Sequence, residues 1–183
     1  MESGNNINIW LAGVVPYEVT GVESVLAKYS VSGRRINSET RFTSGDVLIL
    51  CLGSTPLIGW WRYLRIIKWL ESRYEIKLIV LCPEIIYSMN IFCGKKVTFL
   101  NIESFSDSVL NFLWYAPEEE YKEKWIDRFW LYAVMCLRED PSVEVKGNLA
   151  KRAYHRRCIL LRKLNLSSIH LLRVFMSGIK IKI

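Results

Sequence analysis

Two stretches of this chain, Val47 to Leu52 and Leu78 to Cys82, are apolar at every position. A strand with one wet face alternates apolar and polar residues, so an unbroken apolar run of this length has both faces covered, as in a parallel sheet. Between the two lies Trp60 to Tyr74, with apolar Trp60, Leu64, Ile67 and Leu70 separated by Arg62, Arg65, Lys68 and Glu71. That spacing predicts an amphipathic helix. Strand, helix and strand of this kind form a right-handed crossover, which leaves few topologies open to the rest of the chain.

The remaining segments extend the same alternation. Ile7 to Ala12 reads as a strand entering a core, a helix follows Pro16 through Val22, Val25, Leu26 and Tyr29, and Arg34 to Ile36 is a short polar strand. After the second apolar run come a helix from Glu84 to Ile91, a strand over Val97 to Leu100 and a Ser-capped helix from Ser104 or Ser106 to Trp114. The fold class expected is α/β, a flavodoxin-like, receiver-like five-stranded parallel sheet over residues 1–115. Residues 116–124, opening with Ala116-Pro117 and rich in charge, read as a linker. Residues 125–183 read as a small all-helical unit, with helices from Trp125 to Leu137, through the segment beginning at Lys151, and from Ser167 to Gly178. The final Ile179 to Ile183 alternates like an edge strand.

Charge is divided unevenly between these parts. From Pro141 onward there are ten Lys or Arg and one acid, Glu144, an excess of nine; the chain total is +7, which leaves residues 1–140 at −2. The positive excess therefore belongs to one module, the pattern of a polyanion-binding surface. On a helix turned about 100° per residue, Leu149, Ala153, Leu160 and Leu164 fall within an arc of roughly 60°. Lys151, Arg152, His155, Arg156, Arg162 and Lys163 fall in a separate arc of about 140°. One helix thus has an apolar back and a cationic front, the form suited to lying along phosphates. Ile159 falls inside the cationic arc, where it could touch a thymine methyl, and Arg157 falls off it.

Other chemistry is sparse. The five cysteines, Cys51, Cys82, Cys93, Cys136 and Cys158, form no Cys-x-x-Cys pair and read as reduced thiols of a cytosolic protein. Cys158, beside Arg156 and Arg157, has the neighbours that would lower a thiol pKa. His155 and His170 have no carboxylate placed with them, and the acids form no catalytic or metal-binding motif, so neither an enzyme nor a cofactor is expected. No apolar stretch reaches the length of a membrane span and the N-terminus does not read as a secretory signal, so a cytoplasmic protein without membrane association is expected. The Trp60-Trp61-x-Tyr63 cluster suits either a core or a partner interface.

Lys151 to Leu166 with Ser167-Ser-Ile-His-Leu-Leu-Arg173 resembles the C-terminal half of a LuxR/FixJ-type helix-turn-helix domain. Arg152-Ala153 take the family's Thr-Val positions, Leu160 its buried isoleucine, and Arg162-Lys163-Leu164 its terminal basic pair and leucine. Upstream, Arg138 to Leu149 replaces the family's scaffold helix, and Pro141 and Gly147 shorten any helix there. The N-terminal part resembles a response-regulator receiver whose phosphorylation pocket has been lost. Gly13 and Val14 stand where two carboxylates would hold Mg²⁺, Cys51 replaces the phosphoacceptor aspartate, Cys82 the Thr/Ser, and Asn101 the lysine. A hard cation needs oxygen ligands and phosphoryl transfer a carboxylate, so the resemblance implies a pseudo-receiver.

The combination is similar to enterobacterial auxiliary regulators of the RcsA type. It implies a phosphorylation-independent transcription regulator that binds double-stranded DNA as a homodimer, or as a heterodimer with a response regulator, and is nucleoid-associated when bound. Lys151, Arg152, His155 and Arg156 would reach base edges, while Lys146, Arg157, Arg162 and Lys163 would neutralise phosphates. An adaptor that binds a response regulator or other protein without touching DNA is the alternative. Whether a small ligand occupies the vestigial pocket near Gly13, Cys51 and Cys82 is open from sequence.

Overall fold

The computed structural model describes residues 7–89, 91, 96–105, 113, 125–138 and 148–178. The expected helix from Ser104 or Ser106 to Trp114 lies mostly outside them, and the linker 116–124, Lys146 and the terminal 179–183 segment lie wholly outside them. Five strands, β1 (Ile9–Gly13), β2 (Gly33–Arg35), β3 (Val47–Cys51), β4 (Lys77–Cys82) and β5 (Val97–Asn101), form one sheet in the order β2-β1-β3-β4-β5. Every neighbouring pair is parallel. This order is compatible with a flavodoxin-like fold, in which the chain reverses direction across the sheet after β2.

Residue parity divides the core. Leu48, Leu50 and Leu52 with Leu78, Val80 and Cys82 face one side of the sheet; Val47, Ile49 and Cys51 with Ile79 and Leu81 face the other. The period of two in a strand makes this division unavoidable once both faces are covered. Helix α1 (Pro16–Lys28) covers the second side through Val19, Val22 and Leu26, and Pro at its first turn presets the helical φ. Helices α2 (Trp61–Arg73) and α3 (Glu84–Ser88) cover the first. The α2 side chains Trp61, Leu64, Ile67 and Leu70 are buried, the stripe the sequence spacing predicts.

Beyond the sheet, α4 (Trp125–Arg138), α5 (Asn148–Lys163) and α6 (Ile169–Phe175) stack outside α2. Helix α5 ends in a Schellman arrangement: Asn165 takes φ 51°, its N–H donates to the Arg162 carbonyl at 3.0 Å, and the Leu166 N–H donates to the Leu161 carbonyl at 2.9 Å. The Asn165 side-chain amide then donates to the Ser88 carbonyl at 2.6 Å, tying the end of α5 to the end of α3. Ser168 caps α6 by accepting from the Leu171 N–H at 3.3 Å.

The division into 1–115 and 125–183 drawn from the sequence is not a division of the core. Phe129, Ala133, Cys136, Leu160, Leu161, Leu164, Leu172 and Phe175 belong to the same continuous buried cluster as the first face of the sheet. Trp60, with no exposed surface, sits at the join: it stacks on Phe175 at 6.4 Å between ring centroids, and Phe175 meets Phe129 edge-on at 5.4 Å. Trp61 donates from its indole to the Ser177 carbonyl at 2.9 Å and packs on Trp130. Both tryptophans are therefore core, and the partner-interface reading of this pair is set aside.

At the opposite edge, Asp46 is buried and accepts four hydrogen bonds, from the Asn8 and Thr43 backbone N–H groups, the Asn8 amide and the Trp10 indole. Burial pushes its carboxyl pKa up, and the donors from Thr43, Trp10 and Asn8 outweigh that and hold it below the usual value. A depressed carboxyl pKa stabilises the fold above the unfolded value of about 4 and loses that contribution as pH falls through the folded value. Asp46→Asn is expected to lower stability at pH 7 and to flatten its decline between roughly pH 5 and pH 2, read from urea midpoints. Because the core is shared, Trp60→Ala is expected to cost about 3–5 kcal/mol and to do so in one transition. Separate transitions for the sheet and for the C-terminal helices, seen by circular dichroism and tryptophan fluorescence, would contradict the shared core.

Candidate nucleic-acid interface and the closed switch point

Helix α5 is 16 residues long with six Lys or Arg and no acid. Its two halves have different environments. Leu160, Leu161 and Leu164 in the last turns are buried, whereas Lys151, Arg152, Tyr154, His155 and Arg156 in the first half are exposed. The buried sector is centred about 40° further round than the apolar arc drawn from sequence, because Leu161 turns inward as well as Leu160. That rotation explains why Arg157, off the cationic arc, is only half-exposed.

Lys151, Arg152, His155 and Arg156 line one shallow open groove of about 520 Å³. Three cations and a histidine thus line one open surface, and among the described residues its lining holds no carboxylate. Arg162 and Lys163 are exposed further along the helix, and the Lys163 ammonium lies over the Tyr132 ring of α4 at 4.9 Å. Ile159, 40% exposed, is on the open side as expected. Of the eight sequence candidates, Lys146 lies outside the described residues and Arg157 is set apart; the other six share the exposed side of α5.

Tyr154 was not among the sequence candidates and is 67% exposed beside the groove residues. Its phenol hydrogen-bonds with Cys158 one turn on, and that bond raises the phenol pKa above its ordinary value. An aromatic residue between Arg152 and Arg156 in a basic run is the signal that could have found it. Cys158 itself is half-exposed.

The second set of residues meets at the carboxyl edge of the sheet. Gly13 pairs with Cys51, and Cys82 with Asn101, so the strand ends bring four of the five vestigial positions together. Val14 is 58% exposed. The backbone at Gly13 is closely packed: a Cβ there would lie 2.8 Å from Val19 Cγ2 and 2.9 Å from Cys51 Cβ. Asn101 is engaged, donating from its amide to the Glu84 carboxylate and accepting from the Glu103 N–H at 3.2 Å. Among the described residues no group of three or more His, Cys, Asp or Glu is placed to hold a metal ion.

Glu18, which the sequence reading passed over, fills the centre of this edge. Its carboxylate is buried on the first turn of α1 and accepts from the N–H groups of Gly53 at 2.7 Å and Ser54 at 2.9 Å. Two successive N–H groups after a strand form an anion-binding concavity, and here the anion is a side chain of the same chain. The Cys51 thiol is pushed up to about 12 by burial and by the nearby Glu18 charge, and Cys82 to about 12 by burial and Glu84. Neither forms thiolate at neutral pH.

No family model, curated protein or solved structure matches the chain. No helix among the described residues is long and apolar enough to cross a membrane. Cys51 and Cys82 are expected to resist iodoacetamide at pH 8 until denaturant is added, while Cys158 labels in the native protein. Modification of Cys51 in the native state at the Cys158 rate, read by peptide mass spectrometry, would contradict the closed edge.

Proposed function

We propose that the chain is a DNA-binding transcription regulator of the LuxR type, with a receiver-like part that has no phosphorylation chemistry. It acts as a homodimer or as the auxiliary subunit of a response regulator, in the cytoplasm and on the nucleoid. The observation that carries this reading is the groove of Lys151, Arg152, His155 and Arg156 on a helix whose far end is anchored in the core. A helix held at one end and cationic at the other can enter a major groove while the core stays folded. Arg152, Arg156, Lys151 and His155 are assigned to bases or the phosphates beside them, and Arg162 and Lys163 to flanking phosphates. Neither a catalytic role nor a cofactor is assigned to any residue. The filled carboxyl edge leaves abundance and choice of partner as the means of control.

The adaptor reading has one observation of its own. Helix α2 presents Arg62, Arg65, Ile66, Trp69 and Arg73 to solvent, with Arg65 over the Trp61 ring at 5.4 Å and Arg73 over the Trp69 ring at 5.5 Å. Arginine and tryptophan together are the composition of protein-binding hot spots. Trp69, which lies outside the Trp60-Trp61-x-Tyr63 cluster, is 49% exposed and faces outward from the same helix.

Arg152→Ala combined with Arg156→Ala is expected to weaken a mobility shift on native target DNA by about 100-fold or more, with dimerisation unchanged by sedimentation. Arg162→Ala is expected to reduce the salt slope of binding by about one. A protein that shifts no DNA, alone or with its co-regulator, while Trp69→Ala abolishes co-regulator capture, would favour the adaptor.

A further inference from the structure

We propose that Glu18 is a built-in anion that holds the loop from Leu52 to Trp60 in the one conformation able to dock α6. The C-terminal helices are thereby kept in place without any modification of the chain. The argument follows the loop residue by residue. At its start, the Glu18 carboxylate receives the Gly53 and Ser54 N–H groups at 2.7 and 2.9 Å. One residue on, the buried Thr55 hydroxyl donates to the Leu52 carbonyl at 2.6 Å and accepts from the Trp60 indole at 2.8 Å. At its end, Gly59 donates its N–H to the Val174 carbonyl of α6 at 3.0 Å, and the Trp60 ring stacks on Phe175. Gly59 makes that approach at φ +67°, a conformation open to glycine.

The carboxylate and α6 are thus linked by hydrogen bonds, one ring contact and the backbone of a single nine-residue loop. Glu18 gathers two successive N–H groups of a part-buried turn, beside which a Cβ on Gly53 would stand 2.7 Å from Ile102. A hydrogen bond to a charged acceptor is shorter and stronger than one between neutral groups. The loop therefore has a strong reason to keep this shape while Glu18 is present. Since α6 packs with α4 and α5 in one cluster, holding α6 also holds α5 with its first half facing solvent. The coupling does not depend on what α5 binds.

Hydrogen exchange by mass spectrometry on the full chain tests this. Glu18→Ala is expected to speed exchange by roughly tenfold or more in the 52–60 loop and in 169–177 together, with β1 and β4 unchanged. Glu18→Gln, which keeps an acceptor without the charge, is expected to lie between. Faster exchange confined to 52–55, or no change in either segment, would overturn the coupling. If Glu18→Ala does not fold, Trp60→Phe decides, since it keeps a ring on Phe175 and deletes the donor to Thr55: exchange at 169–177 equal to that of the native chain would overturn the proposal. Coupling without any DNA shift would leave this inference standing and remove the DNA-binding reading.

Discussion

The burial of Trp60 is the constraint on which the rest of the structure depends. Its indole N–H has to find an acceptor inside the core, and Thr55 supplies it. Its ring has to be covered, and Phe175 supplies that from a helix more than a hundred residues away in sequence. Satisfying both demands fixes the loop after β3, the start of α2 and the position of α6 at once. A chain that buried this ring in any other way would lose either a hydrogen bond or a large apolar contact.

This arrangement sets the character of the two ends of the molecule. At the carboxyl edge of the sheet, glycine at position 13, two high-pKa thiols and the Glu18 carboxylate leave a packed, self-satisfied surface. In an open parallel α/β sheet this is the customary place for a ligand. Here an internal side chain takes the role of the ligand. At the other end of the chain, α5 is anchored by Leu160, Leu161 and Leu164 and projects its basic half away from the core.

Much of this was legible in the residues. The unbroken apolar runs identified β3 and β4 because only a strand covered on both faces is apolar at every position. The spacing of Trp60, Leu64, Ile67 and Leu70 located α2, and the uneven charge located the exposed face of α5. Three features were not legible. Nothing local marks Glu18, since its acceptor role depends on N–H groups 35 residues later. Trp60 and Trp61 could equally have faced a partner, since a tryptophan's environment depends on what the rest of the chain lays against it. The exposed tryptophan of that helix is Trp69. The boundary drawn near residue 120 reflected a change in composition, and composition carries no information about whether two cores merge.

The sequence by itself determined the element order, the parallel sheet, and the cationic face of α5. Each rests on local periodicity, which backbone geometry converts directly into buried and exposed faces. Tertiary structure alone decided that the C-terminal helices join the sheet's core, that α5 is rotated to bury Leu161, and that the carboxyl edge is sealed by Glu18. Those outcomes depend on pairs of groups brought together from distant parts of the chain, and no local pattern encodes which distant partner satisfies a buried donor or covers a ring.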